Sequence, residues 1–212
     1  CLLATWYQGF VGLYSVSVLV FAGMFLYALS RAGDDGWMLD IGMGFWGYFY
    51  TAVLFAHFIL LRKFAPLQTY DTVFGSMSFG QAIFWTVVLG TWASDTFAYF
   101  FGIALGKHKA CPTISPKKSW EGYIAGFILS IVTVLYAGNY LFGVEYFILL
   151  FVAVITAVFA PLGDLLESLF KRCVGIKDSG SFFPGHGGVL DRLDSLVNVI
   201  PILYHICLWT LG

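Results

Sequence analysis

Residues 146–170 read YFILLFVAVITAVFAPLGDLLESLF. The first fifteen positions carry no charged side chain, and two acidic residues, Asp164 and Glu167, follow near the end of the run. A helix needs about 20 predominantly apolar residues to cross the hydrocarbon core of a bilayer. Counted from Tyr146, Asp164 lies about 27 Å along such a helix. The run therefore predicts a membrane-spanning helix with carboxylates close to one membrane surface.

Five further segments have the same apolar character, and together they define the fold class. They cover roughly residues 9–29, 41–61, 82–105, 122–142 and 189–211. The chain is 59% hydrophobic and 11% charged, whereas soluble domains have about 25% charged residues. We expect an all-α, polytopic integral membrane protein with about six transmembrane helices.

The distribution of Lys and Arg predicts the orientation of these helices. With six spans, the loops at residues 30–40, 106–121 and 171–188 share one side of the membrane. They hold eight of these cations, and the other side holds two, Arg62 and Lys63. Cytoplasmic loops carry the excess of positive charge, so the first set is expected to face the cytosol. The net charge of −1 gives no general attraction to nucleic acid, and none is expected as a partner.

The start of the chain differs from that of an intact precursor. Residue 1 is Cys rather than Met, and no basic segment precedes the first apolar run. We expect no signal peptide and a truncated or processed N-terminus. Residues 1–80 are interpreted as N-terminal membrane helices, and residues 81–212 as the membrane domain that carries the polar motifs.

Acidic residues recur at helical spacing on two spans. Positions i, i+3, i+4 and i+7 lie on one face of a helix. The fifth span has Asp164, Glu167, Ser168 and Lys171 in this pattern, and the sixth has Asp191, Asp194, Ser195 and Asn198. Intramembrane charges are costly and are candidates for function, and carboxylates with few His or Cys nearby suit a hard cation such as Mg²⁺. The alternative is a polar lock between helices, in which Asp191 pairs with Lys171 or Arg172.

Asp95 adds a third acidic span. It lies ten residues before the cytosolic end of its helix, about 15 Å down. The acids of the three spans can therefore line a funnel that opens to the cytosol. The alternative is that Ser94-Asp95-Thr96 only joins helices by hydrogen bonds.

Two segments have the composition of phosphate sites. The loop PGHGG (184–188) precedes the sixth span, where backbone N–H groups and a helix N-terminus attract anions. In CPTISPKKSWEG (111–122), Ser115 is expected to be the N-cap and Pro116 the first residue of the fourth span. Lys117 and Lys118 would then occupy the first turn, where the helix dipole disfavours cations unless a polyanion binds. Excess positive charge in cytosolic loops is the alternative explanation for both segments.

Several motifs together resemble the phosphatidate cytidylyltransferase family, also called CDP-diglyceride synthetases. The longest, SLFKRCVGIKDSGSFFPGHGGVLDRLDS (168–195), contains every position of the family pattern. ISPKKSWEG (114–122) is similar to the family's Ser-Pro-Lys-Lys-Thr-Trp-Glu-Gly, with Ser119 in place of Thr, and SDTFAYFFGIALGK (94–107) is similar to its Ser-Asp-Thr-x-Ala-Tyr segment. Gly163-Asp164 with Glu167-Ser168 also matches. The resemblance runs from about residue 90 to the end. Residues 1–80 resemble the family only in being hydrophobic.

This resemblance implies a nucleotidyltransferase of phospholipid biosynthesis. CTP and phosphatidic acid would give CDP-diacylglycerol and pyrophosphate with Mg²⁺, at the cytosolic face of a bacterial inner membrane. Residues 81–212 would be the catalytic membrane domain, with cytosolic loops 106–121 and 171–188. A second cation and a homodimer are left open.

The resemblance also assigns residues. The implied metal ligands are Asp164 and Asp191, and we add Asp194 as a ligand or supporting acid. The expected catalytic residues are Asp164, Asp191, Asp194, Lys171, Arg172 and His186. The expected substrate-binding residues are Asp95, Ser115, Lys117, Lys118, Lys177, Asp178, Gly187, Gly188 and Arg192.

Two other functions are compatible with parts of the pattern. A CTP-dependent polyprenol or phytol kinase shares much of the PGHGG region, but it would transfer the γ-phosphoryl group. The ISPKKSWEG match favours the cytidylyltransferase. An ion-coupled transporter would suit Asp95, but the acids and cations concentrate at one surface and no inverted repeat is visible.

Overall fold

The computed structural model describes residues 1–31, 33, 35–176, 179–180 and 188–211. Its helices are α1 (Leu2–Gln8), α2 (Phe10–Ser30), α3 (Trp37–Tyr48), α4 (Leu54–Arg62), α5 (Phe79–Leu105), α6 (Trp120–Tyr140), α7 (Tyr146–Cys173) and α8 (Leu190–Leu211). A π-helical turn, Phe49–Val53, joins α3 to α4. Two antiparallel hairpins complete the elements, β1 (Thr69–Thr72) with β2 (Gly75–Ser78) and β3 (Lys109–Cys111) with β4 (Ser115–Ser119).

Within the described residues, six helical segments are long and apolar enough to cross a membrane. They are α2, the continuous run Trp37–Arg62, α5, α6, α7 and Leu190–Thr210 of α8. Each lies close to one of the six segments predicted from hydropathy, and the all-α membrane fold class is confirmed. The two hairpins are additions that the sequence analysis did not predict.

Glycines allow α5 and α6 to approach closely. A Cβ on Gly126 would lie 2.7 Å from the backbone oxygen of Ser94, and one on Gly122 would lie 2.6 Å from that of Ala98. Small residues at helix interfaces let backbones pack closely where lipid provides no hydrophobic drive between helices. The approach places Ser94 and Asp95 of α5 opposite the start of α6.

The contact between α7 and α8 depends on Gly163 in the same way. A Cβ there would lie 2.8 Å from the backbone oxygen of Asp194 and 2.9 Å from Nδ2 of Asn198. Gly163 immediately precedes Asp164, so this approach sets the spacing between the acids of the two helices. The carboxylate-bearing faces of α7 and α8 therefore pack against each other, as their sequence spacing predicts.

We predict that Gly163→Val lowers thermal stability and activity together. The added methyl groups meet backbone and side-chain atoms of α8, and overpacking of this kind costs about 1–3 kcal/mol. The midpoint of thermal aggregation in detergent, followed by size-exclusion chromatography, measures the loss. Gly47→Val is the matched control, because a Cβ on Gly47 meets no atom within 4 Å. Equal midpoints for the two variants would contradict this role of Gly163.

The structure corrects the predicted start of the fourth span. Ser115 and Pro116 are not the N-cap and first turn of a helix, because residues Ser115–Ser119 form strand β4. Ser119 is the N-cap of α6, and its hydroxyl accepts a hydrogen bond from the backbone N–H of Gly122 at 3.3 Å. Both serines have a side chain suited to an N-cap and both pair with β3, but strand β4 continues past Ser115 and ends at Ser119, where α6 begins.

Consequently Lys117 and Lys118 lie on a strand, and the argument from the helix dipole fails for them. The acidic residue in the first turn of α6 is Glu121, which has the sign that the dipole favours. Glu121 accepts hydrogen bonds from the backbone N–H of His108 at 3.2 and 3.3 Å, and its carboxylate lies 2.6 Å from His108 Nδ1. These contacts fix the β3–β4 hairpin to α6.

Candidate functional site

A cavity of about 510 Å³ lies between α5, β4, α6 and α7. Five of the predicted site residues line it: Asp95, Ser115, Lys117, Lys118 and Asp164. Tyr99, Gly102 and Ile103 of α5 supply a less polar wall. The β3–β4 hairpin thus places Lys117 and Lys118 in the same cavity as Asp95 and Asp164.

An ion pair closes one side of this cavity. Lys118 Nζ of β4 contacts Asp164 Oδ2 of α7, with 21% and 30% of the two side chains exposed. Ser168, one turn along α7, donates to the other carboxylate oxygen at 3.5 Å. Asp164 is therefore partly accessible from the cavity. Its counter-ion, Lys118, lies 46 residues away in the sequence.

A second ion-pair cluster lies one turn further along α7. Lys171 Nζ donates to Glu167 Oε2 at 2.7 Å and to Asp191 Oδ1 of α8 at 2.7 Å. The Glu167 side chain is 1% exposed, and its second oxygen, Oε1, has no hydrogen-bond partner among the described residues. This cluster contains the Lys171–Asp191 pair that the polar-lock alternative requires.

Asp191 also accepts hydrogen bonds from two residues that precede α8 in the chain, Ser179 and Gly188. Its Oδ2 accepts hydrogen bonds from the Ser179 N–H at 2.9 Å, the Ser179 hydroxyl at 2.8 Å and the Gly188 N–H at 2.7 Å. The sequence analysis missed this role, because Ser179 lies within the motif at 168–195 but was assigned no function there. Gly188, a predicted substrate-binding residue, here donates to a carboxylate.

Asp194 and Asp95 connect the cavity to α8. Asp194 Oδ1 accepts from the backbone N–H of Ser195 at 2.7 Å, and the Ser195 hydroxyl donates to Asp95 Oδ2 at 3.4 Å. Asn198 Nδ2 donates to the backbone oxygen of Asp194 at 3.1 Å. The acids of α5, α7 and α8 therefore belong to one region, as the funnel hypothesis predicts.

The remaining predicted residues are exposed or lie outside the described residues. Arg172 is exposed, and its Nη1 lies 3.5 Å from the backbone oxygen of Ile176. The Arg192 side chain is exposed on the first turn of α8. Lys177, Asp178, His186 and Gly187 lie outside the described residues, so their predicted roles stay predictions.

The donor chemistry of this region fits a hard divalent cation. Asp95, Asp164, Glu167, Asp191 and Asp194 offer only carboxylate oxygens, and one buried oxygen of Glu167 lacks a partner. In the part of the chain that the structure describes, however, no three His, Cys, Asp or Glu side chains converge closely enough to hold a metal ion. Lysines bind two of the three predicted metal ligands, Asp164 and Asp191.

The sequence profile of the cytidylyltransferase family matches residues 1–210. The chain belongs to this family. This confirms the family predicted from the sequence motifs.

Three relatives illustrate the similarity, and each is named phosphatidate cytidylyltransferase. The protein of Staphylococcus saprophyticus is 47% identical over 116 residues, which are 54% of this chain and 45% of the relative. That of Staphylococcus haemolyticus is 48% identical over 116 residues, with the same shares. That of Staphylococcus aureus (strain COL) is 50% identical over 113 residues, or 53% of this chain and 44% of the relative. The chain spans about half the length of the curated relatives it matches.

The sequence analysis also missed two tyrosines. Tyr123 of α6 lines the cavity, and its ring centroid lies 5.9 Å from Lys118 Nζ. Tyr50, on the π-helical turn, packs edge-on against Phe170 of α7. Tyr123 directly follows the motif ISPKKSWEG (114–122), which was a signal for it, whereas Tyr50 has no polar motif beside it in the sequence. Only the packing of distant helices brings Tyr50 to α7.

Proposed function

We propose that the protein is a phosphatidate cytidylyltransferase that converts CTP and phosphatidic acid to CDP-diacylglycerol and pyrophosphate. A phosphate oxygen of the lipid attacks the α-phosphorus of CTP, and the bond from that phosphorus to the oxygen bridging to the β-phosphate breaks. The leaving pyrophosphate takes the bonding electrons. Membership of the cytidylyltransferase family and the names of its relatives support this proposal.

The observation that carries the proposal is the cavity that combines Lys117 and Lys118 with Asp95 and Asp164. Lysines provide charge for phosphate groups, and carboxylates provide charge for a cation that accompanies a triphosphate. The volume of about 510 Å³ lies in the range of small-molecule pockets, about 300–1,000 Å³. The surrounding helices are apolar and long enough to span a membrane, so a lipid substrate could approach from the bilayer.

The reaction requires positioning and charge neutralisation more than proton transfer. The phosphate of phosphatidic acid is already anionic near neutral pH, so no strong general base is needed. Lys117 and Lys118 would hold phosphate oxygens in line for displacement, and Lys171 would act from the adjacent cluster. Tyr99 and Ile103 give the cavity a less polar wall on the side of α5.

We propose Mg²⁺ as the cofactor, with Asp164, Asp191 and Asp194 as the residues that would hold it. Bound there, the ion would neutralise phosphate charge and act as a Lewis acid. In this proposal Asp95 and Glu167 contribute further negative charge to the same region. The site would face the cytosol of a bacterial inner membrane, because the excess of Lys and Arg lies on its side of the helices.

Labelled CTP tests the proposed reaction. Purified protein in mixed micelles with phosphatidic acid is given CTP labelled either at the α- or at the γ-phosphate, and the lipid fraction is extracted. Label from the α-phosphate in the lipid, with the γ-label released as pyrophosphate, is the expected result. Transfer of the γ-label alone would indicate a lipid kinase and would overturn the proposal.

We predict that Lys117→Ala mainly raises the apparent KM for a phosphate-bearing substrate. The side chain is exposed on β4 and lines the cavity, so its loss should leave the fold intact. Loss of one charge-assisted contact to phosphate should raise KM about tenfold. Initial rates at varied CTP and at varied phosphatidic acid identify the substrate affected. Unchanged KM values with normal turnover would remove Lys117 from the binding site.

A further inference from the structure

Lysines already hold two carboxylates to which we assign metal binding. Lys118 contacts Asp164, and Lys171 lies 2.7 Å from both Asp191 and Glu167. The same lysines are among the cations to which we assign phosphate binding, Lys118 in the cavity and Lys171 beside it. Each lysine can bind its carboxylate partner or a phosphate group, but it cannot fully bind both at once.

We propose that Lys118 and Lys171 are exchangeable counter-ions, which leave the carboxylates for phosphate when a divalent cation enters, and thereby couple metal binding to nucleotide binding. This inference rests on the proposed function. It assigns the lysines a second role in the substrate-free protein, in addition to phosphate binding.

Charge explains why the exchange is needed. Asp95, Asp164, Glu167, Asp191 and Asp194 are five acids in one region, and unpaired carboxylates inside a membrane protein are costly. Lys118 and Lys171 offset part of this charge in the substrate-free protein. A divalent cation on Asp164 would repel an ammonium group at hydrogen-bond distance, and the repulsion is strong where water is scarce.

The exposure of the two pairs indicates which of them exchanges more readily. The Lys118 and Asp164 side chains are 21% and 30% exposed, and both line the open cavity. Lys171 is 16% exposed and has two carboxylate partners, one of them buried. A flexible lysine on a surface hairpin needs only side-chain rotation to move from a carboxylate to a phosphate. Lys118 should therefore dominate the coupling.

Thermodynamic linkage then fixes the consequence for binding. Metal alone must displace Lys118, and nucleotide alone must draw it from Asp164 and leave that acid without a counter-ion. When both bind, each removes the cost that the other faces. Each ligand must therefore raise the affinity for the other by the same factor, and typical coupling is about 5- to 150-fold.

The test is a titration with Mn²⁺, followed by its electron paramagnetic resonance signal, with and without the α,β-methylene analogue of CTP. We expect the analogue to tighten Mn²⁺ binding at least about fivefold in the wild-type protein. In Lys118→Met, Mn²⁺ should bind at least about fivefold more tightly without nucleotide, and the enhancement by the analogue should fall at least about fivefold, to the part that direct coordination of Mn²⁺ by the triphosphate supplies. Lys109→Met, on the exposed face of β3, is the matched control and should behave as wild type.

Further variants keep the outcome interpretable. Lys118→Arg retains the charge and should keep the weak nucleotide-free binding, which separates the effect of charge from a general disturbance of the hairpin. Asp164→Asn should lose Mn²⁺ binding. If Asp164→Asn loses Mn²⁺ binding but Lys118→Met binds Mn²⁺ as the wild type does, the proposed exchange is wrong and the proposed metal site stands. If Asp164→Asn binds Mn²⁺ normally, the exchange and the proposed metal site both fail.

Discussion

Asp164→Asn is expected to reduce CDP-diacylglycerol formation by about 10²- to 10³-fold, the loss seen when one preorganised electrostatic group is removed from an active site. The substitution keeps the shape of the side chain but removes the charge that binds Lys118 and, in our proposal, the metal ion. Because the side chain is partly exposed at the cavity, the fold should tolerate an amide. The assay follows α-labelled CTP into extracted lipid at saturating substrate.

Asp71→Asn is the matched control for this variant. Asp71 is an exposed carboxylate on the β1–β2 hairpin, outside the cavity. It should retain wild-type turnover and the wild-type elution profile in detergent. Turnover in Asp164→Asn within about threefold of wild type would remove Asp164 from the catalytic machinery.

The second large effect is expected for Asp191→Asn, which should abolish CDP-lipid formation, a loss of at least about 100-fold. Two causes act together here. The variant loses the charge that pairs with Lys171, and an amide is a poorer acceptor for the Ser179 and Gly188 donors that hold the loop before α8. The measurement is the same lipid-extraction assay, with extractability in detergent as the check on folding.

Ser179→Ala separates the two causes. It removes one hydrogen bond to Asp191 and leaves the carboxylate charged. If the charge of Asp191 matters most, Ser179→Ala should lose only about threefold to tenfold in turnover. A loss equal to that of Asp191→Asn would assign Asp191 to loop anchoring alone. Wild-type turnover in Asp191→Asn would remove it from the proposed metal site.

The membrane helices could be predicted from the sequence because hydropathy is a local property of the chain. The predicted span at residues 122–142 differs from Trp120–Tyr140 by only two residues at each end. The pairing of acids on α7 and α8 was also predictable, since i, i+3 and i+4 spacing places side chains on one helical face. The Lys171–Asp191 contact appeared among the alternatives for the same reason.

The contacts of the β3–β4 hairpin could not be predicted, because they depend on tertiary structure. Ser115 and Ser119 have equivalent N-cap chemistry and both pair with β3, and only the length of the strand decides that α6 begins after Ser119. The Lys118–Asp164 pair joins residues 46 positions apart on different elements. Tyr50 reaches Phe170 of α7 from a π-helical turn that hydropathy does not reveal. Local patterns thus predict which residues are polar and functional, whereas packing decides which of them meet.

The most direct test of the account is a crystal structure of the protein with Mn²⁺ and the α,β-methylene analogue of CTP, with anomalous data collected at the manganese edge. We predict an anomalous peak about 2.0–2.5 Å from a carboxylate oxygen of Asp164, with the triphosphate in the cavity and Lys118 Nζ on a phosphate oxygen instead of Asp164. A manganese peak remote from Asp164, or a nucleotide bound outside the cavity, would contradict it.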